Sequence, residues 1–298
     1  MRSVRTGWKF TFPSAPHIMS ILSATYKQRQ KVLGYPVDTV DEALALEIID
    51  EAWNNKRGLH VVTLNAEMVV ASQQDQALDR IIRHAHLIVP DGSGVVWALR
   101  LQGHGADRLP GIELANAALG LAARKGSRVA LLGGKTEVLE KIKATLPTMH
   151  PGLNIVASHN GYFSLDDEDQ LVDQFADAKP DLMLVALGVP KQEYFIDRWS
   201  HAFPNTVMIG VGGSFDVWAG NVKRAPAAFR KMHLEWFYRL MAEPWRFKRM
   251  SAALPSFAMQ VLQELAQNKL TEKKHGEKVR SERQPKPHDK SKERSKDK

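Results

Sequence analysis

The sequence predicts an α/β fold in which a mostly parallel sheet carries helices on both faces. Two observations predict this fold. Short apolar runs rich in β-branched residues recur along the chain, and segments of helical periodicity separate them. Strands that alternate with helices form parallel sheets, because each helix returns the chain to the same end of the sheet. We therefore expect a Rossmann-like core, followed by a C-terminal helical appendage.

The predicted elements follow in a regular order. Residues 31–53 indicate a short strand pair and then a helix. The apolar side chains of this helix have helical spacing: Ala43, Leu46, Ile49 and Ala52. Predicted strands lie at residues 60–65, 86–90, 128–134, 154–163, 181–188 and 206–213. Predicted helices lie at residues 66–85, 95–103, 111–126, 135–146, 225–243 and 245–269, and the last has Phe247, Met250, Leu254, Phe257 and Leu262 near one face.

Composition divides the chain into four segments. Residues 1–27 form a leader of unknown role, in which Met19 offers an alternative start. Residues 28–222 form the α/β catalytic core, and residues 223–269 form a basic, aromatic appendage. Residues 270–298 have almost no apolar side chains, so we expect a disordered basic tail.

Charge and cysteine content exclude several classes of protein. The chain has no cysteine, which excludes disulfides and thiolate metal sites and fits a reducing cytosol. It has no continuous apolar run typical of a secretory signal or a membrane-spanning helix. The net charge of residues 1–222 is −3, whereas residues 223–249 hold eight Lys and Arg against two Asp and Glu. This uneven distribution of charge along the chain favours an acidic membrane surface or a pyrophosphate ligand, rather than nucleic acid, as the binding partner.

Polar residues and glycines recur directly after the predicted strands. Because the carboxyl ends of parallel strands share one edge of the sheet, where ligands of α/β proteins bind, these residues predict one site. They are Thr63, Asn65, Asp91, Gly133, Gly134, Lys191, Gln192, Gly212 and Gly213.

Each candidate also has a structural interpretation. Asp91 fits a general base that accepts a proton from a hydroxyl group, and it equally fits a helix N-cap or a turn aspartate. Thr63 and Asn65 fit ligand contacts, but capping of the helix at Ala66 is the better interpretation of their position alone. Lys191 and Gln192 fit contacts to sugar hydroxyls or phosphate, or a helix that begins after proline with an acidic residue in its first turn.

Cofactor and metal motifs are weak in this chain. The glycine turn at residues 131–135 resembles a phosphate-binding turn but lacks both the dinucleotide and the P-loop spacing, which counts against an NAD-dependent oxidoreductase. Residues 167–169 spell Asp-Glu-Asp, but an acidic first helical turn explains them better than a divalent metal site. No histidine cluster has zinc-ligand spacing. We therefore expect neither a cofactor nor a metal.

Several motifs together resemble one family of enzymes. TLNAEMVV, VPDGSGVV, RLPGIEL, PDLMLVALGVPKQE and GVGGSFDVWAGNVKRAP, followed by LEWFYRLMAEPWRFKRM, are similar to the WecG/TagA/CpsF family of bacterial glycosyltransferases, and most closely to its teichoic-acid members. The likeness covers roughly residues 30–265. It implies inverting transfer of N-acetylmannosamine from its UDP donor to undecaprenyl-diphosphate-linked N-acetylglucosamine, in synthesis of the wall teichoic acid linkage unit.

The resemblance also implies roles for individual residues. Asp91 becomes the catalytic base, Thr63 and Asn65 line its pocket, and Gln192 contacts the sugar nucleotide. The side chains implied to meet the diphosphate are Arg239, Arg246 and Arg249. Metal independence, peripheral association with the inner face of the plasma membrane and a balance of monomer and homo-oligomer are further implications.

Alternatives remain open from the sequence alone. One keeps the fold and the acceptor but uses UDP-N-acetylmannosaminuronate, UDP-glucose or UDP-N-acetylglucosamine as donor. A second is the NAD-dependent sugar-nucleotide oxidoreductase, and a third is a scaffold without catalytic activity, in which Asp91 has no functional role.

Overall fold

A parallel six-stranded sheet forms the centre of the molecule, which confirms the predicted α/β class. The structure is a computed structural model that describes residues 29–222, 226, 229 and 247–282. The strand order is β4-β3-β8-β7-β5-β6, and every neighbouring pair is parallel. The strands are β3 (Leu59–Leu64), β4 (Leu87–Pro90), β5 (Arg128–Gly133), β6 (Asn154–His159), β7 (Leu182–Ala186) and β8 (Val207–Gly210).

Helices cover both faces of this sheet, because each strand leads into a helix that buries an apolar stripe. In the described residues they are α1 (Glu42–Asn54), α2 (Ala66–Ser72), α3 (Gln76–His84), α4 (Ser93–Leu101), α5 (Gly111–Lys125), α6 (Thr136–Met149), α7 (Leu165–Asp177), α8 (Lys191–Trp199), α9 (Ser214–Trp218) and α10 (Phe247–Glu282). No helix of the described part of the chain is long and apolar enough to cross a bilayer.

The predicted strand pair is an antiparallel hairpin of β1 (Arg29–Val32) and β2 (Tyr35–Asp38). The fully buried Asp38 carboxylate accepts hydrogen bonds from Arg29 Nε at 2.7 Å and from the backbone N–H of Ile88 at 2.8 Å. The hairpin is therefore fixed beside β4, an edge strand of the sheet.

The helix that follows the hairpin buries a slightly different face from the predicted one. Asp41 caps α1 by accepting a hydrogen bond from the N–H of Leu44. Ala45, Ile49 and Ala52 are buried, whereas Ala43 is exposed. The buried stripe is rotated because α1 packs against α5 as well as the sheet.

The C-terminal helix α10 packs against α2 and α4, and is thus part of the core. Phe257 and Val261 are fully buried there, but Leu262 is 55% exposed, so its predicted place on the buried face is wrong. The helix also passes the predicted boundary at residues 269–270 and ends at Glu282. Residues 270–282 are therefore helical rather than disordered, because their Lys and Glu extend a helix that packing has already nucleated.

Hydrogen bonds fix α10 at two further places. Gln260 and Gln73 join α10 to the end of α2, at 2.6 Å between Gln73 Nε2 and Gln260 Oε1. Glu264 Oε2 accepts from Gln102 Nε2 at 3.3 Å and from the N–H of Leu33 at 3.4 Å. The helix predicted at residues 225–243 lies outside the described residues, apart from residues 226 and 229.

One buried imidazole gives the fold a pH dependence. His60 lies in β3, its Nε2 has no hydrogen-bond partner among the described residues, and burial lowers its pKa to about 3. Below pH 6.5 the unfolded chain binds a proton that the folded chain does not. The stabilising contribution of neutral His60 is therefore complete above pH 6.5 and is lost as the pH falls toward 3.

We expect His60→Leu to remove this dependence. The free energy of unfolding of the wild type, minus that of the variant, should fall by about 1.4 kcal/mol per pH unit below pH 6.5. Urea denaturation from pH 7 to pH 4 measures this difference. A difference that stays constant over the range would contradict a neutral, buried His60.

Candidate functional site

The predicted site lies at the carboxyl edge of the sheet, where backbone hydrogen bonds join the loops. The N–H of Asp91 donates to the carbonyl of Leu64 at 3.0 Å, which connects the loops after β4 and β3. The N–H of Gly134 donates to the carbonyl of Ala186 at 3.2 Å, which connects the loops after β5 and β7. The chain leaves β5 and β7 in opposite directions, so this edge contains a topological switch point.

Asp91 is half-buried and lies just before the helix that follows β4. The N-cap of α4 is Gly92, so the interpretation of Asp91 as an N-cap is wrong. A Cβ on Gly92 would lie 2.9 Å from the Asn65 Cβ, which shows how closely the two loops approach. The structure therefore brings the loops of Asp91 and Asn65 together, as predicted.

Thr63 and Asn65 both have structural roles at this edge. The Thr63 hydroxyl donates to the carbonyl of Gly210 at 3.2 Å and is buried beneath Gly111 at the start of α5. Asn65 is the N-cap of α2, because its Oδ1 accepts from the N–H of Met68 at 3.0 Å. The capping interpretation is confirmed for Asn65 and wrong for Thr63, whose hydroxyl bonds to the end of β8 instead. The implied contacts of both side chains with a ligand stay predictions.

Gln192 is buried at the start of α8. Its Oε1 accepts a hydrogen bond from the N–H of Gly212 at 3.0 Å, and its Nε2 donates to Glu193 Oε1 at 2.8 Å. Both side chains lie against Gly210, where a Cβ would collide with the Gln192 amide. Thr63 and Gln192 therefore meet at the end of β8 from opposite sides.

Glu193 is the feature that the sequence interpretation missed. It is 1% exposed, and its Oε2 has no hydrogen-bond partner among the described residues. Burial raises its pKa to about 7, and the hydrogen bond from Gln192 only partly opposes this effect. The sequence feature that is compatible with its burial is helical spacing, which puts Gln192 and Glu193 on the same face as the buried Phe195 and Ile196.

The glycine turn after β5 approaches β7 closely. Gly133 has φ +126°, and a Cβ there would collide with the carbonyl of Ala186, so only glycine fits. Lys135 precedes α6 at its N-cap position and makes no side-chain capping bond. A lysine side chain has no acceptor for the first N–H groups of α6, and backbone N–H groups at the start of a helix can bind an anion.

A cavity of about 250 Å³ lies at the end of β6. Tyr162 lines it and is 71% exposed, and the N–H of Gly161 links this loop to the carbonyl of Gly134 at 2.8 Å. Asp167 also lines the cavity, but its N–H bonds to the Oγ of the N-cap Ser164, which confirms an acidic first turn in α7. In the described ranges no three His, Cys, Asp or Glu side chains could hold a metal ion.

A larger cavity, of about 380 Å³, lies away from the predicted site residues. Its lining residues belong to the segment before α1, the first turn of α1, the end of α4 and the loop after α4: Thr39, Val40, Asp41, Leu44, Arg100, Gly105, Ala106 and Asp107. Size alone therefore does not identify the functional site in this protein.

The direction in which α10 runs indicates where Arg249, one of the predicted arginines, lies relative to Asp91. Phe257 lies near Gly94 at the start of α4, whereas Glu264 bonds to Gln102 at its end, so α10 and α4 run in the same direction. Arg249 belongs to the first turn of α10, about 12 Å along the helix before Phe257 and toward the edge with Asp91. Arg239 and Arg246 lie outside the described residues, as does the side chain of Arg249.

Comparison with known proteins gives consistent matches. Residues 30–271 match the model of the glycosyl transferase WecG/TagA/CpsF family. The chain is 39% identical over 212 residues to the N-acetylglucosaminyldiphosphoundecaprenol N-acetyl-beta-D-mannosaminyltransferase of Bacillus subtilis strain 168, covering 71% of this chain and 82% of that protein. It is 37% identical over 246 residues to the Staphylococcus aureus strain NCTC 8325 protein of the same name, covering 82% and 96%.

Proposed function

Because this chain belongs to the WecG/TagA/CpsF family of glycosyl transferases, we propose that it transfers N-acetylmannosamine from UDP-N-acetylmannosamine to undecaprenyl-diphosphate-linked N-acetylglucosamine. This reaction builds the linkage unit of wall teichoic acid. The observation that carries the proposal is the likeness to N-acetylmannosaminyltransferases, together with a family match that includes the whole parallel sheet and much of α10.

Asp91 is the general base of the proposed reaction. Its carboxylate accepts the proton of an N-acetylglucosamine hydroxyl while the hydroxyl oxygen bonds to C1 of N-acetylmannosamine. The bond from C1 to the diphosphate breaks on the opposite face, so the configuration inverts and UDP leaves with the electron pair. The position of Asp91 supports this role, because it lies half-buried at the carboxyl edge beside the Asn65 loop.

The leaving UDP gains negative charge, which cationic side chains can neutralise. We assign this task to Arg239, Arg246 and Arg249, since guanidinium groups form bidentate hydrogen bonds with phosphate oxygens. The direction of α10 supports the assignment of Arg249, whose helical turn lies toward the catalytic edge. The glycine turn before α6 supplies N–H groups at the same edge.

A panel of radiolabelled donors tests the proposal, with a short-chain prenyl-diphosphate-N-acetylglucosamine as acceptor. We expect transfer from UDP-N-acetylmannosamine to exceed transfer from UDP-N-acetylglucosamine, UDP-glucose and UDP-N-acetylmannosaminuronate. Faster transfer from one of these three would change the donor and keep the reaction. Absence of transfer from all four donors would overturn the proposal, and binding of NAD would favour the oxidoreductase.

We also place the working enzyme at the cytoplasmic face of the plasma membrane, bound peripherally. The polyprenyl tail of the acceptor stays in the bilayer, so the active site must come to it. Residues 223–249 support this location, since cations and tryptophans together suit the headgroup region of an anionic membrane.

We expect the combined substitution of Arg239, Arg246 and Arg249 by Ala to weaken binding to anionic vesicles about 100-fold. Each cation near an anionic surface contributes about 1 kcal/mol, and the loss should shrink as salt is added. Co-sedimentation with phosphatidylglycerol vesicles measures it, and uncharged vesicles serve as reference.

Substitution of Lys31, Lys56 and Arg124, three exposed cations of the core, by Ala is the matched control. It removes the same charge without changing the appendage, so it should leave vesicle binding nearly unchanged. Equal losses from both triple variants would show that net charge, and not the appendage, determines binding. Truncation at residue 225 is a poorer test, because it also removes Phe257 and Val261 from the core.

A further inference from the structure

Glu193 and Gln192 form a chain of buried polar contacts with the end of β8. Gly212 N–H donates to Gln192 Oε1, and Gln192 Nε2 donates to Glu193 Oε1. Gly210 leaves room for both side chains, and its carbonyl accepts from Thr63 on the other side. The Gly212 N–H and Glu193 Oε1 together fix the orientation of the Gln192 amide, because a flipped amide would bring Nε2 against the Gly212 N–H and put two donors together.

The second carboxyl oxygen of Glu193 is buried and has no partner among the described residues. An ionised oxygen in such a place would be an uncompensated charge, whereas a protonated one is tolerated more easily. Burial accordingly raises the pKa of Glu193 to about 7. The described ionisable group in electrostatic contact with it is Tyr194, whose pKa is raised to about 12 by burial and by Asp75, so the phenol stays neutral.

We propose that Glu193 is a positioning residue for the sugar-nucleotide donor, which orients the Gln192 amide when it is protonated and weakens donor binding when it ionises. This inference rests on the proposed function. Glu193 Oε1 occupies one Nε2 hydrogen of Gln192 and leaves the second for the donor, and a protonated Glu193 adds no negative charge near the diphosphate of the donor. An ionised Glu193 carboxylate repels the diphosphate of the donor. It also favours entry of water among the hydrogen bonds that join Glu193, Gln192 and Gly212.

The experiment measures the KM for UDP-N-acetylmannosamine from pH 6 to pH 8.5. We expect the KM of the wild type to rise about fivefold from pH 7 to pH 8, because only the protonated fraction binds the donor well. In Glu193→Gln the KM should stay flat, since the amide cannot ionise and still accepts a hydrogen bond from Gln192. The kcat of this variant at pH 6 should remain within about twofold of the wild type, as expected for an orienting residue without a part in proton transfer.

Glu137→Gln is the matched control, because Glu137 is an exposed glutamate in the first turn of α6, at the same edge of the sheet. It should keep the rise in KM of the wild type. A KM of the wild type that is flat from pH 6 to pH 8.5 would overturn the inference, whether or not the Glu193 variant folds. Equal rises in the wild type and Glu193→Gln would also overturn it.

Direct binding separates this inference from the proposed function. Calorimetric titration with UDP-N-acetylmannosamine at pH 6.5 and pH 8.5 needs no transfer reaction. A wild type that binds the donor with the expected pH dependence but transfers no sugar would retain the inference for a sugar-nucleotide site and overturn the transferase. A wild type that transfers sugar with pH-independent binding would retain the transferase and overturn the role of Glu193.

Discussion

Asp91→Asn is expected to lower kcat by about 10²–10⁴-fold, the usual contribution of a positioned general base. The amide has the shape of the carboxylate and preserves the turn before α4, but it cannot accept the proton of the acceptor hydroxyl. Affinity for the UDP-sugar should change little, because the backbone bonds that join this loop to Leu64 remain. Single-turnover rates and calorimetric binding measure the two effects separately.

Asp107→Asn is the matched control for this substitution. Asp107 lies in the loop between α4 and α5, its side chain is 93% exposed, and its partner is Arg100. The same chemical change there should leave kcat within about twofold, because an exposed ion pair contributes little. Near-normal turnover in Asp91→Asn would exclude Asp91 as the base and would favour the scaffold without catalytic activity.

The convergence of the candidate loops could be predicted from the sequence, because it follows from local pattern and topology. Parallel strands put their carboxyl ends at one edge, so residues after different strands had to converge there. Asn65 and Asp91 illustrate this, since their loops touch at Gly92. Predicting the convergence needed only the alternation of strands and helices, which is visible along the chain.

The state of Glu193 could not be predicted in the same way. Its burial depends on a glycine 17 positions further along the chain, Gly210, and on the packing of α8 against β8. A first-turn glutamate usually faces solvent and interacts with the helix dipole. Only the tertiary contact decides between that role and a buried carboxyl.

The buried face of α10 shows a different limit. Apolar residues surround much of this helix, so Val261 and Leu262 fit a helical stripe equally well. The choice is made by α2 and α4, which accept Phe257 and Val261 and leave Met259 and Leu262 exposed. The apolar periodicity predicted a helix, but it did not indicate which side of that helix α2 and α4 cover.

Phe257→Ala is expected to lower the free energy of unfolding by about 3–5 kcal/mol, because the ring is fully buried and its loss leaves a cavity. Chemical denaturation measures this loss. Leu262→Ala is the matched control, since it shortens an exposed apolar side chain on the same helix and should cost less than about 0.5 kcal/mol. Equal losses in the two variants would contradict the docking of α10 through Phe257.

Phe257→Ala should also reduce sugar transfer, through an effect that is separate from the loss of stability. Phe257 lies beside Gly94, which is three residues after Asp91, and α10 carries Arg249 in its first turn. Loosening α10 should therefore disturb the proposed base and the proposed diphosphate contact together. We expect a higher KM for the donor and a lower kcat at temperatures where the variant remains folded. Unchanged kinetics in a folded but destabilised variant would separate the docking of α10 from catalysis, and the proposed diphosphate contact of Arg249 would then lose its structural support.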